Sequence, residues 1–388
     1  MLKMAVGQTE ELDGEIAAAD VLDQCAAALD GELPQAGLLL ANHDLDFEEF
    51  LAAVAGAYPD LELIGCTTAT PLSSAAEYIE GSTTLTLFAS DVIDFTTGLG
   101  TGVAASVDGA ARQAVADAAA KTTKEPALAI VTPTMEGLDP AALSEEVGRA
   151  LGPTVPVFGG GAVPDYPVTT PWLGGLQFYG DRVETDSLPM LLLSGPLKVS
   201  VGVRHGWSPV GKTAVVTRAK GDTVYEIDGE PVVAFYRHYL GGTSQPAMAT
   251  PLAIFDDETG RYYLRAPLDW DEEEGSATFL GSVPEGSVVQ IAMASSDEIL
   301  RGTEASVEDA LAAFPEGALP QGALISACCT RNWLLGSRTG SELDIIRNGL
   351  GSDVPLAGFY AFGEIAPLQL DAAPKFHNET CVTVLIGT

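Results

Sequence analysis

The chain has 388 residues, 46% of them hydrophobic, with 42 Gly and 24 Pro, which is the composition of a globular protein with many turns. Single cores stop growing near ~250–300 residues, so two domains are expected. A formal net charge of −35, with acids spread along the chain, excludes a nucleic-acid backbone as partner and disfavours anionic membrane surfaces on Coulomb grounds.

The opening "MLKMAVGQTEELD" is too short and too acidic for a secretory signal. No apolar run approaches the ~20 residues of a membrane span. A cytoplasmic location with reduced cysteines is therefore expected. Five cysteines without a Cys-x-x-Cys pair give neither a disulfide framework nor a structural zinc site. No cofactor is expected.

The first clear elements are a buried strand, "AGLLLAN" (36–42), and the helix "DFEEFLAAVAGAY" (46–58), with Asp46 as its cap and Glu49 at the capping-box position. The strand "LELIGCTTATP" (61–71) comes next. The same order recurs in "PALAIVTPT" (126–134), the helix "DPAALSEEVGRAL" (139–151) with Pro140 at its first position, and "VPVFGGGAVPD" (155–165).

"LKVSVGVRH" (197–205) alternates like a half-buried strand and leads into "GWSPVGKT" (206–213). Those eight residues match the phosphate-loop pattern G-x-x-x-x-G-K-[ST]. Their context does not. The residues after Lys212 read as a β-branched strand, a Lys-Gly-Asp turn and a second strand, so no helix N-terminus faces an anion. Pro209 also removes one N–H. "LAIF" before Asp256 imitates the magnesium-binding strand of such enzymes, a common chance pattern. A hairpin is expected here, with Trp207 on the core and Lys212 in solvent.

The helix "PVVAFYRHYLG" (231–241) ends in Gly-Gly, and "GGTSQPAMATP" reads as a linker. A third pass runs through "GALISACCTRN" (322–332), the helix "SELDIIRNGL" (341–350) and "VPLAGFYAFGEIAP" (354–367). Each pass is trailed by hairpin material: "GSTTLTLFAS", "GLQFYGDRVETDSLPMLLLSG" and "NETCVTVLIG". The expected fold is α/β: two packed domains, 1–225 and 226–388, with mixed β-sheets flanked by helices and strand–helix–strand units followed by β-hairpins. The rhythm alone does not make a repeat protein, because α/β chains in general show one.

"LIGCTTA" at Leu63, "VFGGGAVPD" at Val157, "GWSPVGKTAVVTRAKGDTVYEIDGEP" at Gly206, "GFYAFGEIAP" at Gly358 and "FHNETCV" at Phe376 together resemble the FIST family, in the order of a FIST N-terminal and then a FIST C-terminal domain. The resemblance covers nearly the whole chain. It implies a sensory, small-ligand-binding module, with amino acids as ligands and an unidentified signalling partner. No kinase, methyl-accepting, cyclase or F-box segment is recognisable, so a stand-alone sensor is expected. The resemblance transfers no binding residues.

The residues themselves suggest a site. A zwitterionic ligand needs a cation or N–H donors for its carboxylate and an acid for its ammonium. Arg331, in a loop just past its strand, is the candidate for the first and Glu364 for the second. Tyr360 and Phe362 offer walls. The strand-end stretch Cys66, Thr67 and Thr68 supplies hydroxyls, and Gly159, Gly160 and Gly161 allow close backbone approach. All lie at the carboxyl ends of strands, where open α/β sheets bind ligands. The bland alternatives are a salt-bridged Arg331, a locally capping Glu364 and a plain glycine turn.

An enzyme is the rival class: a cysteine-dependent hydrolase or transferase with Cys66 as nucleophile and His377 as base. No Gly-x-Ser-x-Gly elbow is present. Zinc held by Cys328 or Cys329 with His377 and Cys381 is disfavoured, because adjacent cysteines rarely chelate together and "NETCVTVLIG" reads as strand. His43, His205 and His238 receive no role. Asn378-Glu379-Thr380 matches a glycosylation acceptor, which has no meaning in a cytosolic chain.

Overall fold

The structure is a computed structural model and describes residues 1–164, 174–241, 248–255 and 262–388. Asp256 and most of the linker at 242–247 lie outside the described residues, as does Asp165. The protein is mixed α/β, with several mixed sheets flanked by helices.

Among the described residues, three of four sheets are built alike. The first runs in the order Leu2–Thr9, Thr83–Ser90, Ala36–Ala41, Glu62–Thr67, Gln177–Tyr179, Arg182–Glu184. The second runs Asp94–Thr101, Ser187–Ser194, Pro126–Val131, Val157–Gly160, Glu364–Pro367, Pro374–His377. The third runs Lys198–Arg204, Cys381–Gly387, Gly322–Cys328, Leu356–Ala361, Pro71–Ser73. In each, the first two strands are antiparallel and the third and fourth are parallel across a helical crossover.

The three strand–helix–strand passes read in the sequence are thus topologically equivalent. Each also has a leading strand and helix that the passes did not include: Gly14–Leu29, Val107–Ala119 and Ser296–Ala313. A glycine on each leading strand lets the following helix sit against the backbone. A Cβ at Gly7, Gly98 or Gly202 would come within 2.5, 1.9 or 2.0 Å of the carbonyl oxygens of Val21, Ala114 and Ser306.

The units are tied by exchange. The first unit gives Pro71–Ser73 to the third sheet, the third gives Glu364–Pro367 to the second, and the second gives Gln177–Tyr179 to the first. The cycle closes, and it carries strands across position 225 in both directions. The inner faces of the three sheets pack on one another in a single core, through Leu38, Ile64 and Cys66, Leu128, Ile130 and Phe158, and Leu324, Phe359 and Val382. The outer faces are covered by helices.

Caps follow the sequence. Asp46 accepts from the Glu49 N–H, and Asp139 accepts from Ala141 N–H ahead of Pro140. A β-rich insertion, Ser208 to Met293 with helix Val232–Leu240, interrupts the third unit after its leading strand. It opens with "GWSPVGKT" as part of the strand Ser208–Lys220, which turns at Gly221 and Asp222 and returns as Thr223–Ile227. Trp207 is buried and Lys212 exposed, as the hairpin reading expects.

Candidate functional site

The exchange of strands draws the sequence-predicted segments to one end of the central core. Thr68 Oγ1 donates to the Tyr360 carbonyl (2.9 Å), Gly161 N–H to the Gly363 carbonyl (3.0 Å), and Glu364 pairs with Gly160 across antiparallel strands. Thr67 Oγ1 donates to Val163 O at 2.9 Å. The segments meet, but they meet closely packed. A Cβ on Gly160 would lie 2.5 Å from that of Ala361 and 2.9 Å from Ser326 Oγ. The backbone groups of Gly159–Gly161 expected to face a ligand are largely spent on sheet and loop hydrogen bonds.

The candidate side chains lie on opposite sides of the third sheet. On the outer face, under the helices, lies Arg331. It is on a short helix, Cys329–Leu335, rather than in the loop expected, and is fully buried. The chain curls straight out of the strand into helix, which turns the side chain inward. Nε and Nη2 reach Glu342 Oε1 at 3.0 and 2.6 Å, and Nη2 also reaches Thr303 Oγ1 (2.6 Å) and Ile299 O (3.0 Å). Nη1 donates to Glu379 O at 3.1 Å. The other oxygen of Glu342 accepts from the Tyr360 hydroxyl.

Burial works against the Arg331 charge, and Glu342 more than compensates, so its pKa stands above the ordinary value. Tyr360 is raised by burial and then by Glu342. This guanidinium is committed inside the protein, and the role of carboxylate clamp expected of Arg331 does not fit its geometry. Tyr360 likewise serves Glu342 instead of forming a wall beside Glu364.

On the inner face, Glu364 is also fully buried. One oxygen accepts from Thr380 N–H (3.1 Å) and the Thr380 hydroxyl, whereas Oε1 has no partner. Burial, reinforced by Cys328, pushes its carboxyl well above the usual range. Glu379 stands beside it, fully buried, with φ = 64° and neither oxygen in a hydrogen bond of good geometry. Burial, Cys328 and Glu364 raise it in turn. Reading the sequence assigned Glu379 no role. The sole sign was an acid two residues ahead of a mostly apolar strand, Cys381–Gly387.

The enzyme reading finds little support in Cys66. Its thiol sits in the central core and burial pushes it far above the ordinary value, the reverse of what a nucleophile needs. His377 is buried, lowered to about 4 by that burial, and occupied with the Ala366 carbonyl (2.9 Å). Among the described residues, no three His, Cys, Asp or Glu side chains group as metal ligands. No helix among them is long and apolar enough to cross a membrane. Beside Trp207 a shallow cleft of about 350 Å³ is lined by Glu298 and Arg301. Glu298 caps Ser295 reciprocally at the start of Ser296–Ala313, so an acid already fills the place where a phosphate would bind.

A larger cleft, of about 420 Å³, opens between the first and second sheets. His43 and Asp44 follow the strand Ala36–Ala41; Thr134 and Glu136 follow Pro126–Val131; Thr185 and Asp186 precede Ser187–Ser194. Its wall is one hydrogen bond from Thr67, which accepts from Leu176 N–H at 3.0 Å. His43 Nε2 is 2.7 Å from Val163 O, and Glu136 accepts from Gly175 N–H at 3.3 Å. Reading the sequence assigned His43 no role and did not single out the others, although the strand-end rule points at the positions just after Ala36–Ala41 and Pro126–Val131.

The family comparison likewise finds two domains in tandem. Residues 35–230 match the FIST N domain and residues 233–367 the FIST C domain. The chain belongs to the FIST family, whose domains are associated with sensory signal transduction and small-ligand binding. An uncharacterized protein of Mycobacterium tuberculosis is 30% identical over 208 residues, 50% of this chain and 53% of that protein. One from Methanocaldococcus jannaschii is 31% identical over 147 residues, 37% of this chain and 28% of that protein. The chain thus spans about half the length of the first and less of the second. Among solved structures, a cyanuric acid hydrolase from A. caulinodans aligns over all of this chain and 99% of its own at 10% identity, with a TM-score of 0.39, a likeness too slight to inform the function of this chain.

Proposed function

We propose that the protein is a sensory module that binds a small ligand without chemical turnover, the ligand being an amino acid or related amine. The observation that carries this reading is the cleft between the first two sheets. It lies at strand ends, where α/β folds place ligands, and has the size of a small-metabolite site. Asp44, Glu136 and Asp186 on its rim favour a ligand with an ammonium group, and Thr134, Thr185 and His43 add neutral hydrogen-bonding capacity. Thr67 and the strand-end segment behind it, Cys66 to Thr68, support the wall without touching the opening. Burial of Cys66 speaks against turnover by the cysteine route.

The test is a thermal-shift screen of amino acids and small amines on the intact chain. Saturable stabilisation by one of them, lost in Glu136→Gln and Asp186→Asn while the unliganded midpoint holds, is the expected result. A hit that survives both substitutions, or no hit at all, rules the cleft out.

A further inference from the structure

The inner face of the third unit carries a charge problem that the cleft does not touch. Glu364 Oε1, both Glu379 oxygens and Ser326 Oγ are buried and without hydrogen-bond partners of good geometry. Strand alternation sets Ser326 and Cys328 on the same face as Leu324, which is part of the central core. By the same alternation Glu364 shares its face with the core residue Ala366. Gly160 joins the two: it pairs with Glu364 in register, and a Cβ on it would touch Ser326 Oγ. The Thr330 hydroxyl lies beside Glu379 without closing a hydrogen bond. Arg331 acts on both acids, but Glu342 already neutralises it.

Buried acceptors without partners are costly, and two carboxylates side by side doubly so. Glu379 also holds left-handed backbone, φ = 64°, just ahead of the closing strand. Part of that is topological, since Gly81 and Asp186 do the same ahead of the closing strands of the other units. A side chain with neither oxygen satisfied is not explained by topology.

We propose that Glu364 and Glu379 hold between them one desolvated cation of the ammonium type, NH4⁺ or the R–NH3⁺ head of a small amine, with Ser326 Oγ as a further acceptor. An ammonium nitrogen brings three or four N–H donors, which the orphan oxygens can accept. A metal ion is the poorer match, because no metal-ligand group of three forms among the described residues. This site is independent of the cleft and of its ligand.

Binding needs at least one ionised carboxylate, so a proton leaves to solvent as the cation enters, and affinity rises with pH. The groups that face the pair are Cys328 at the end of its strand, Arg331 on the following helix, Cys381 on the closing strand and His377, which pairs with Glu364. The thiols are pushed up and His377 down to about 4, which leaves them neutral near pH 7, while Arg331 keeps its charge.

The experiment measures unfolding midpoints of the whole chain in ammonium, methylammonium, potassium and tetramethylammonium chloride at equal ionic strength, at pH 6 and pH 8. Tetramethylammonium has no N–H and controls for screening of the −35 charge. A saturable rise of a few degrees in ammonium over tetramethylammonium, larger at pH 8 and lost in Glu379→Gln, is expected. A matching rise in methylammonium assigns the site to an amine head; a rise in ammonium alone assigns it to the free ion. Equal midpoints in all four salts, an equal rise in potassium, or a response retained in Glu379→Gln overturns the proposal. Should Glu379→Gln fail to fold, Ser326→Ala and a ¹⁵N-ammonium spectrum of the unaltered protein decide: an exchange-protected ammonium signal, weakened in Ser326→Ala, is expected, and its absence overturns the site. Glu136→Gln, which blunts the cleft, leaves the ammonium response intact.

Discussion

Ionisable groups are buried at the same depth on the two sides of the third sheet and are treated in opposite ways. On the outer face, the Arg331 guanidinium and the Glu342 carboxylate cancel, and Thr303 and Tyr360 take up the remaining valences of the acid. On the inner face, Glu364 and Glu379 repel each other, and only one of their four oxygens is satisfied. Burial is equal, so burial is not the difference. The outer cluster is a finished piece of structure that pins helix Cys329–Leu335 to helices Ser296–Ala313 and Thr339–Leu350. The inner cluster is unfinished within the protein's own atoms. Residue type points to Arg331 as the binding group; the completeness of its partners makes it the structural one.

The contrast breaks most sharply at Arg331. Arg331→Met strands Glu342 as a buried carboxylate with only hydroxyl partners, and a loss of ~3–5 kcal/mol in urea unfolding is expected. Adding Glu342→Gln removes the stranded charge, so the double variant regains a good part of the loss and the cycle shows strong coupling. A single-variant loss below about 1 kcal/mol, or strictly additive effects, means that the outer cluster is not the closed unit described.

The inner pair responds next, and with the other sign. Both folded-state pKa values lie above the unfolded value of about 4.3. Groups raised in this way contribute stability that is full below the unfolded pKa and is lost as pH climbs through the folded one. In tetramethylammonium buffer, Glu364→Gln with Glu379→Gln should match the parent near pH 4 and exceed it by about 1–3 kcal/mol at pH 8. Parallel curves for the two proteins between those values would falsify the uncompensated pair.

Much of the fold could be read from the chain because it is written locally. The apolar run at 36–41, the Asp46 and Asp139 caps and the Lys-Gly-Asp turn each specify their own few residues. The leading strand and helix of the first unit escaped because an alanine-rich helix, Gly14–Leu29, has a weak apolar stripe. The exchange of strands was out of reach for another reason. Pro71–Ser73 is three residues long, and nothing in three residues states that their partner lies at Ala357–Phe359. The site suffered from the same non-locality. Scarcity of bases drew attention to Arg331, but its orientation depends on Glu342 and Thr303, which approach only once two helices have packed. Glu379 was hidden by its company: among 54 acidic residues, most of them solvated, its place just ahead of an apolar strand is too slight a mark to single it out.

A charge left in water sets the zero of this scale, and Lys212 provides it. It closes the phosphate-loop pattern in sequence, yet stands exposed on the strand Ser208–Lys220. Among the described residues it has neither a carboxylate to balance, as Arg331 has, nor a helix N-terminus to share with an anion. Lys212→Ala should leave the unfolding midpoint unchanged within error, and ATP with magnesium should shift neither protein. If ATP stabilised the parent but not the variant, the segment would bind phosphate from a β-strand, without the helix dipole that such binding uses elsewhere. Electrostatic attraction to a single exposed lysine is too weak to produce that result in a chain so acidic, so the outcome would require backbone N–H groups turned toward the ligand. The antiparallel register of Ser208 to Val210 with Ile291 to Met293 commits this stretch to sheet pairing instead.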